Sequence, residues 1–137
     1  MDLEIKKNLT NNWFKLLQDM FCNDIITLEK HKIKFETTIW KKNSKKDEGG
    51  GEYRILKNGK IFDKVGVNKS TVSGIFSKKF RHNIPGAQKD GKYWASGISV
   101  VAHMKNPKVP AMHFNTRFIV TSKNWFGGGI DVTPCFK

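Results

Sequence analysis

The sequence predicts an α+β fold in which a single N-terminal amphipathic helix precedes a largely antiparallel sheet. Two observations lead to this prediction. Apolar residues recur at helical spacing over residues 8–31, and the rest of the chain contains short alternating segments separated by turn residues. One long helix followed by hairpin-linked strands is typical of the α+β class, in which helices and strands are segregated along the chain.

The predicted helix spans residues 8–31 and contains neither glycine nor proline. Its apolar side chains recur at the spacing that places them on one broad stripe of a helix. The stripe consists of Leu9, Trp13, Phe14, Leu16, Leu17, Met20, Phe21, Ile25 and Leu28. The pattern therefore predicts an amphipathic helix.

The strands are predicted from alternation and from the turn residues between them. In chain order they cover residues 33–40, 53–56, 60–62, 93–103 and 112–121, with a last strand from Trp125 onward. Asn58-Gly59 is the pair preferred in a tight type I′ turn, so it predicts a hairpin between the second and third strands. The segments 41–51 and 77–92 are rich in charged or turn-forming residues and are predicted to be loops.

The net charge of the chain narrows the classes of molecule that it could bind. The chain of 137 residues carries 25 Lys+Arg against 12 Asp+Glu, a formal net charge of +13, and 22 of the basic residues are lysine. A surface that reads nucleic acid usually depends on arginine, and no nucleic-acid-binding motif is present. The charge fits either a solvated lysine surface or attraction of a polyanion such as a small polycarboxylate.

The chain is expected to be a cytoplasmic protein. No apolar segment is long enough for a transmembrane helix, and the N-terminal residues do not resemble a secretory signal. Cys22 and Cys135 lie far apart without a CxxC spacing, which predicts free thiols in a reducing compartment.

Candidate chemistry concentrates in the strands at 97–103 and 112–118. Side chains alternate faces along a strand, so Ser99 and His103 share one face, and His113, Asn115 and Arg117 share one face. If Ser99 lies opposite Arg117, then His103 lies opposite His113. One sheet surface would then carry groups that suit an anionic ligand and proton transfer, the alternative being the solvated face of a half-exposed sheet.

The remaining polar residues and the glycine triplets point less specifically to a function. Asp131 lies two residues after the triplet Gly127–Gly129 and is either a turn or capping residue or a buried acceptor for a ligand N–H group. Two histidines alone do not make a metal site. Neither glycine triplet precedes Lys-Ser/Thr or fits GxGxxG before a helix, which argues against a phosphate-binding loop.

A long ordered set of segments identifies a resemblance to a known family. The segments are Trp40, Gly49–Leu56, Phe62–Asn68, Gly97–Ser99, His103–Pro107, Pro110–Arg117 and Trp125–Pro134. In this order they resemble the oxygen-dependent coproporphyrinogen III oxidases of haem biosynthesis. The resemblance spans nearly the whole chain and covers only the N-terminal half of the family protein.

The resemblance implies a homodimer whose large antiparallel sheet, flanked by helices, carries the substrate cleft. The implied reaction is oxidative decarboxylation of two propionates of coproporphyrinogen III to vinyl groups, which gives protoporphyrinogen IX and uses O2 without an organic cofactor. By position, His113 resembles the proton donor and Asp131 the acceptor of pyrrole N–H groups. Ser99, Asn115, Thr116 and Arg117 resemble substrate contacts. His103 and His113 match two of the histidines to which some bacterial members assign a divalent metal.

Two alternatives from other classes stay open at this point. The first is a catalytically inactive fragment, because residues 1–137 are expected to form a single incomplete domain that needs a complementing C-terminal half. The second is a basic nucleic-acid-binding module, which rests only on the net charge. The isolated chain is expected to be inactive.

Overall fold

A computed structural model describes residues 1–136 as an N-terminal helix followed by one antiparallel sheet. The elements are α1 (Leu3–Glu29), β1 (Glu36–Lys41), β2 (Gly49–Lys57), β3 (Phe62–Ile75), α2 (Lys78–Arg81), β4 (Lys92–Met104), β5 (Ala111–Val120) and β6 (Asn124–Thr133). The strands are arranged in chain order, and each neighbouring pair is antiparallel. The predicted α+β class is confirmed.

Helix α1 is longer at its N-terminus than the apolar pattern predicts. Asp2 is the N-cap, and its carboxylate accepts a hydrogen bond from the Glu4 amide at 3.2 Å, so the helix begins at Leu3. It ends at Glu29, and the C-cap residue Lys30 has a φ of 55°, which lies in the left-handed region. Across residues 1–136, no helix combines the length and the apolar character that a membrane span requires.

The face of α1 that contacts the sheet differs from the predicted stripe. Its buried residues are Thr10, Phe14, Gln18, Cys22, Ile25 and Glu29. Leu9, Trp13 and Met20, which belong to the predicted stripe, are about half exposed, with 48% of Trp13 accessible. The sheet selects polar Gln18 because its Nε2 donates hydrogen bonds to the carbonyl oxygens of Glu52 and Val67, at 2.9 and 3.2 Å. Hydrophobic periodicity could not reveal which face of α1 is buried, since apolar residues occupy most of the circumference of the helix.

The core lies between α1 and one face of the sheet. The helix contacts β3 and β4, the two central strands. The side chains buried there include Phe14, Leu56, Val65, Val67, Ile98, Val100 and Phe118. Because side chains alternate along each strand, burial of this face leaves the opposite face of the same strands free of the helix.

The predicted hairpin between β2 and β3 is present, but its turn is not the predicted tight type I′ turn. Residues 58–61 form the connection, and only Asn58 of the Asn58-Gly59 pair has a positive φ, whereas a type I′ turn needs two. The difference has a tertiary cause. The amides of Lys60, Ile61 and Phe62 turn toward the Glu29 carboxylate and donate to it at 2.7 to 3.1 Å.

The Glu29 side chain is fully buried at this contact. Burial raises the pKa of a carboxyl group, but hydrogen bonds from the amides of Phe62, Lys60 and Ile61 outweigh it and hold the pKa of Glu29 below its ordinary value. Gly59 leaves room for the carboxylate, since a Cβ there would lie 2.2 Å from its Oε1 atom. The contact ties the C-terminus of α1 to the β2–β3 connection.

The strand boundaries differ from the predictions in several places. The largest difference is β3, which spans Phe62–Ile75 rather than residues 60–62. The triplet Gly49–Gly51 begins β2 rather than lying in a loop, and β1 begins at Glu36 rather than at Ile33. The loop predicted over 77–92 contains the short helix α2. The strand differences occur where cross-strand pairing, which local composition does not reveal, extends or shortens a strand. Helix α2 instead begins at an N-cap, Ser77, whose side chain accepts a hydrogen bond from the Phe80 amide.

We expect the Glu29→Gln variant to unfold with a free energy lower by about 1–3 kcal/mol, because an amide replaces the charged acceptor of three backbone N–H groups. The pKa of Glu29 is lower in the folded state than in the unfolded chain. Its contribution is therefore present above the unfolded pKa and is lost as the pH falls through the folded pKa. Urea unfolding between pH 7 and pH 3 should show a steeper loss of stability for the wild type than for the variant.

The matched control is Glu36→Gln, since Glu36 is exposed on β1. This variant should keep the stability and the pH dependence of the wild type. Equal unfolding free energies for Glu29→Gln and Glu36→Gln would contradict the anchoring role of Glu29.

Candidate functional site

The sheet face opposite α1 carries a cluster of polar side chains from β4, β5 and β6. Ser99 on β4, His113, Asn115 and Arg117 on β5, and Asp131 on β6 share this face, which we call the site face. Their strand neighbours Ile98 and Val100 point to the helix-covered core. The alternation along these strands thus separates the polar groups from the apolar core.

The register of the β4–β5 pair differs from the prediction by two residues. Ser99 lies opposite Asn115 rather than Arg117, and His113 lies opposite Val101 rather than His103. Because the side-chain period of a strand is two, this shift moves the partners along the strand without changing their face. His103 lies near the end of β4, where its cross-strand partner is Lys64 of β3.

Ser99, His113 and Asp131 form a short chain of polar groups across three strands. The Ser99 Oγ and His113 Nε2 atoms are 3.5 Å apart, and His113 Nδ1 is 3.5 Å from Asp131 Oδ2. Thr133 Oγ1 donates a hydrogen bond of 2.9 Å to the other oxygen of Asp131. The side chains of His113 and Asp131 are 40% and 61% exposed, so solvent or a ligand reaches both. Asp131 therefore lies within β6 rather than in a turn, and its carboxylate is accessible in the described part of the chain.

Serine, histidine and aspartate in this order invite comparison with a hydrolase triad, but the backbone argues against it. Ser99 lies in the middle of β4, which pairs with β3 on one side and β5 on the other. The backbone N–H groups around it are used by these two ladders. A hydrolase needs free donors beside its nucleophile to hold an oxyanion. The chain of polar groups suits proton transfer and ligand binding instead.

Arg117 is available to a ligand. Its side chain lies over Gly97 on β4, where an added Cβ would be 2.6 Å from Arg117 Cγ. Arg54 is committed to Asp19 and Glu52, both at 2.7 Å, and Arg81 donates to the Phe76 carbonyl oxygen. No ion pair holds Arg117 in the part of the chain that the structure describes. A planar guanidinium can grip a carboxylate at two points.

Thr116 does not lie on the site face. It is paired with Ile98 and therefore points to the helix side of the sheet, away from Asn115 and Arg117. The family resemblance carried the whole segment 115–117 over as substrate contacts, whereas strand alternation places its middle residue on the other face.

The structure adds site-face residues that sequence reasoning missed. Asn68 of β3 lies opposite Ser99, and Tyr53 of β2 lies opposite Asn68. Trp40 Nε1 donates to Asn68 Oδ1 at 3.2 Å. Alternation with the buried Val65 and Val67 could have placed Asn68 on this face, but only the register brings it beside Ser99.

Two shallow depressions lie side by side on the site face. One, of about 370 Å³, is lined by Tyr53, Ile55, Gly66, Val67, Asn68, Ser99 and Val101. The other, of about 300 Å³, is lined by residues that include Val101, His103, His113 and Asp131. Val101 belongs to both, so they form one continuous surface.

The residues present do not fit a complete metal site. His103 and His113 line the same depression. Across residues 1–136, however, no group of three His, Cys, Asp or Glu side chains is arranged to hold a metal ion. Two imidazoles leave most of the coordination sphere of a divalent ion unfilled, so no chemical step is derived through a metal.

Comparison with known proteins identifies the same family that the sequence segments resemble. The family model for coproporphyrinogen III oxidase matches residues 9–137. The chain is 50% identical over 138 residues to the oxygen-dependent coproporphyrinogen-III oxidase of Rickettsia akari and 51% identical to that of Rickettsia typhi. In each case the match covers 95% of this chain and 48% of the relative. The chain thus spans about half the length of the curated relatives it matches.

Proposed function

Because the chain belongs to the coproporphyrinogen III oxidase family, we propose that its site face binds coproporphyrinogen III during conversion to protoporphyrinogen IX. The observation that carries this proposal is the clustering of Ser99, His113, Asn115, Arg117 and Asp131 on one accessible sheet face. The substrate carries four propionate groups, so a basic chain with a net charge of +13 attracts it.

The proposed reaction removes CO2 from two of the propionates. Each propionate loses CO2, one proton and two electrons and becomes a vinyl group. O2 accepts the two electrons together with two protons and becomes hydrogen peroxide, so no organic cofactor is needed for the balance. The relatives are named oxygen-dependent, which supports O2 as the oxidant. Haem biosynthesis, with a cytoplasmic location, is the proposed setting.

Arg117 and Asn115 are proposed to hold the substrate. The guanidinium of Arg117 is free of protein carboxylates in the described region and can bind one propionate through two parallel hydrogen bonds. Asn115 lies between Arg117 and His113 along the same face of β5 and offers both a donor and an acceptor. Together they would orient one edge of the substrate toward His113.

His113 is proposed to move the proton, and Asp131 to accept pyrrole N–H groups. The Asp131 carboxylate lies 3.5 Å from Nδ1 of His113, and the other ring nitrogen faces Ser99. An imidazole in this position can pass a proton between the substrate and the Ser99 hydroxyl. The exposed Asp131 oxygens can also accept hydrogen bonds from N–H donors of the substrate.

A partner polypeptide is proposed to complete the protein. On the helix side of β6, the apolar residues Phe126, Ile130 and Val132 are 60 to 68% exposed. An apolar surface of this kind is usually covered by another part of a protein. The chain matches only about half of its relatives, so we propose that the complementary half of the family protein covers this surface, within a homodimer.

We expect the Arg117→Lys variant to bind coproporphyrin III, the stable oxidised analogue, more weakly by about 1–3 kcal/mol. The lysine keeps the charge but loses the two-point grip on a carboxylate. The measurement is fluorescence titration of the chain together with its complementary half.

Arg81→Lys is the matched control, because Arg81 holds the Phe76 carbonyl in the β3–β4 connection and lies outside the proposed site. Its affinity should equal that of the wild type. An unchanged affinity in Arg117→Lys would show that the guanidinium does not contact the substrate.

We expect residues 1–137 alone to give no measurable conversion of coproporphyrinogen III under air, since the site face is open to water and does not enclose the substrate. Addition of the residues of the Rickettsia typhi relative that the match does not cover should produce activity. The readout is the fluorescence of protoporphyrin IX after oxidation of the product.

The control is the same mixture with His113→Gln, which should remain inactive. Turnover by the lone chain would contradict the need for a partner. A mixture that binds coproporphyrin III without turnover would favour the inactive-fragment alternative.

A further inference from the structure

We propose that Gly66 and Gly129 determine specificity on the site face by keeping its floor free of side chains beneath a broad, macrocyclic polycarboxylate. This inference rests on the proposed function, because it concerns the same face. Gly66 lies on β3 opposite Val101, and Gly129 lies on β6 opposite Asn115. They therefore flank the polar cluster of β4 and β5 on its two sides.

Neither glycine is required by the fold in the part of the chain that the structure describes. A Cβ built on Gly66 or Gly129 meets no heavy atom within 4 Å. Neither residue has a positive φ, so any amino acid could adopt its backbone conformation.

Two other glycines of the sheet, Gly51 and Gly97, behave differently. A Cβ on Gly97 would lie 2.6 Å from the Thr116 carbonyl oxygen, and one on Gly51 would lie 2.3 Å from the Lys69 carbonyl oxygen. The close approach of the neighbouring strand explains these two glycines. It does not explain Gly66 and Gly129, which face open space.

A glycine in a strand interior has a thermodynamic cost. It loses more backbone entropy on folding than other residues and offers no side chain for packing. Such a glycine often marks a position where a ligand approaches the backbone closely. Because intramolecular contacts do not account for Gly66 and Gly129, a molecule lying against the sheet is the remaining reason for them.

The spacing of the glycines indicates the shape of that molecule. Gly66 is separated from β6 by three strand intervals, roughly 14 Å at the usual strand spacing. Between them the floor carries Val101 and His113, and the row ends at Asp131. A narrow ligand would touch one glycine only. A tetrapyrrole lying parallel to the sheet would touch both while its edge carboxylates reach Arg117.

The test compares Gly66→Val and Gly129→Val with the wild type, each alone and with the complementary half of the Rickettsia typhi relative. The probe is coproporphyrin III, followed by fluorescence titration, and the melting temperature is measured in parallel. Each variant should bind the probe at least tenfold more weakly. The melting temperature should be unchanged or higher, because valine favours a strand and fits the open space.

Ile39→Phe is the matched control, since Ile39 lies on the edge strand β1, faces the helix side and is 77% exposed. It should bind the probe as the wild type does. Variants with wild-type affinity would overturn the inference while leaving the proposed function intact. A wild type that does not bind coproporphyrin III in either form would overturn both.

Two further outcomes also overturn the inference. A lower melting temperature for Gly66→Val and Gly129→Val would show that the fold itself requires these glycines. Variants that keep the probe affinity but no longer associate with the complementary half would show that polypeptide, not ligand, lies against the floor. Loss of porphyrin binding with retained stability and retained association is the result that only the proposed role predicts.

Discussion

The contact between α1 and one face of the sheet, anchored by the buried carboxylate of Glu29, is the constraint on which the rest of the structure depends. Glu29 accepts three backbone hydrogen bonds from the β2–β3 connection and so places the end of the helix against the hairpin. With the helix in this position, Val65, Val67, Ile98 and Val100 are buried beneath it. Their strand neighbours must then point to the opposite face, where Ser99 and Asn68 meet.

Polar contacts, more than apolar ones, specify the rotation of α1. Gln18 donates to two carbonyl oxygens of the sheet, and Arg54 of β2 forms an ion pair of 2.7 Å with Asp19. Lys69 of β3 donates to Asn11 of the helix, and its burial lowers its pKa. Apolar contacts are non-directional, whereas these hydrogen bonds and this ion pair form in only one orientation of α1. In this orientation of α1, Trp13 and Met20 remain about half exposed.

The two faces of the sheet have separate roles. The helix side carries the core and, beyond α1, the exposed apolar side chains of β6, which suit contact with further polypeptide. The site face carries imidazole, carboxylate, amide and guanidinium groups around a glycine-containing floor. The exposed apolar side chains of β6 and the polar groups of the site face lie on opposite sides of the sheet. The proposed partner contact on β6 would therefore not bury the groups that are proposed to bind the substrate.

The sequence by itself determined the α+β class, the family, and the face on which Ser99, His113, Asn115 and Arg117 lie. The face on which a strand residue lies depends only on alternation with a period of two. The predicted face was therefore correct although the predicted register was wrong by two residues. Only the tertiary structure decided the register of β4 and β5, the buried face of α1, the conformation of the turn at Asn58-Gly59 and the position of Asn68 beside Ser99. Each of these depends on contacts between residues far apart in the chain, such as Glu29 with Phe62, and local pattern does not encode such contacts.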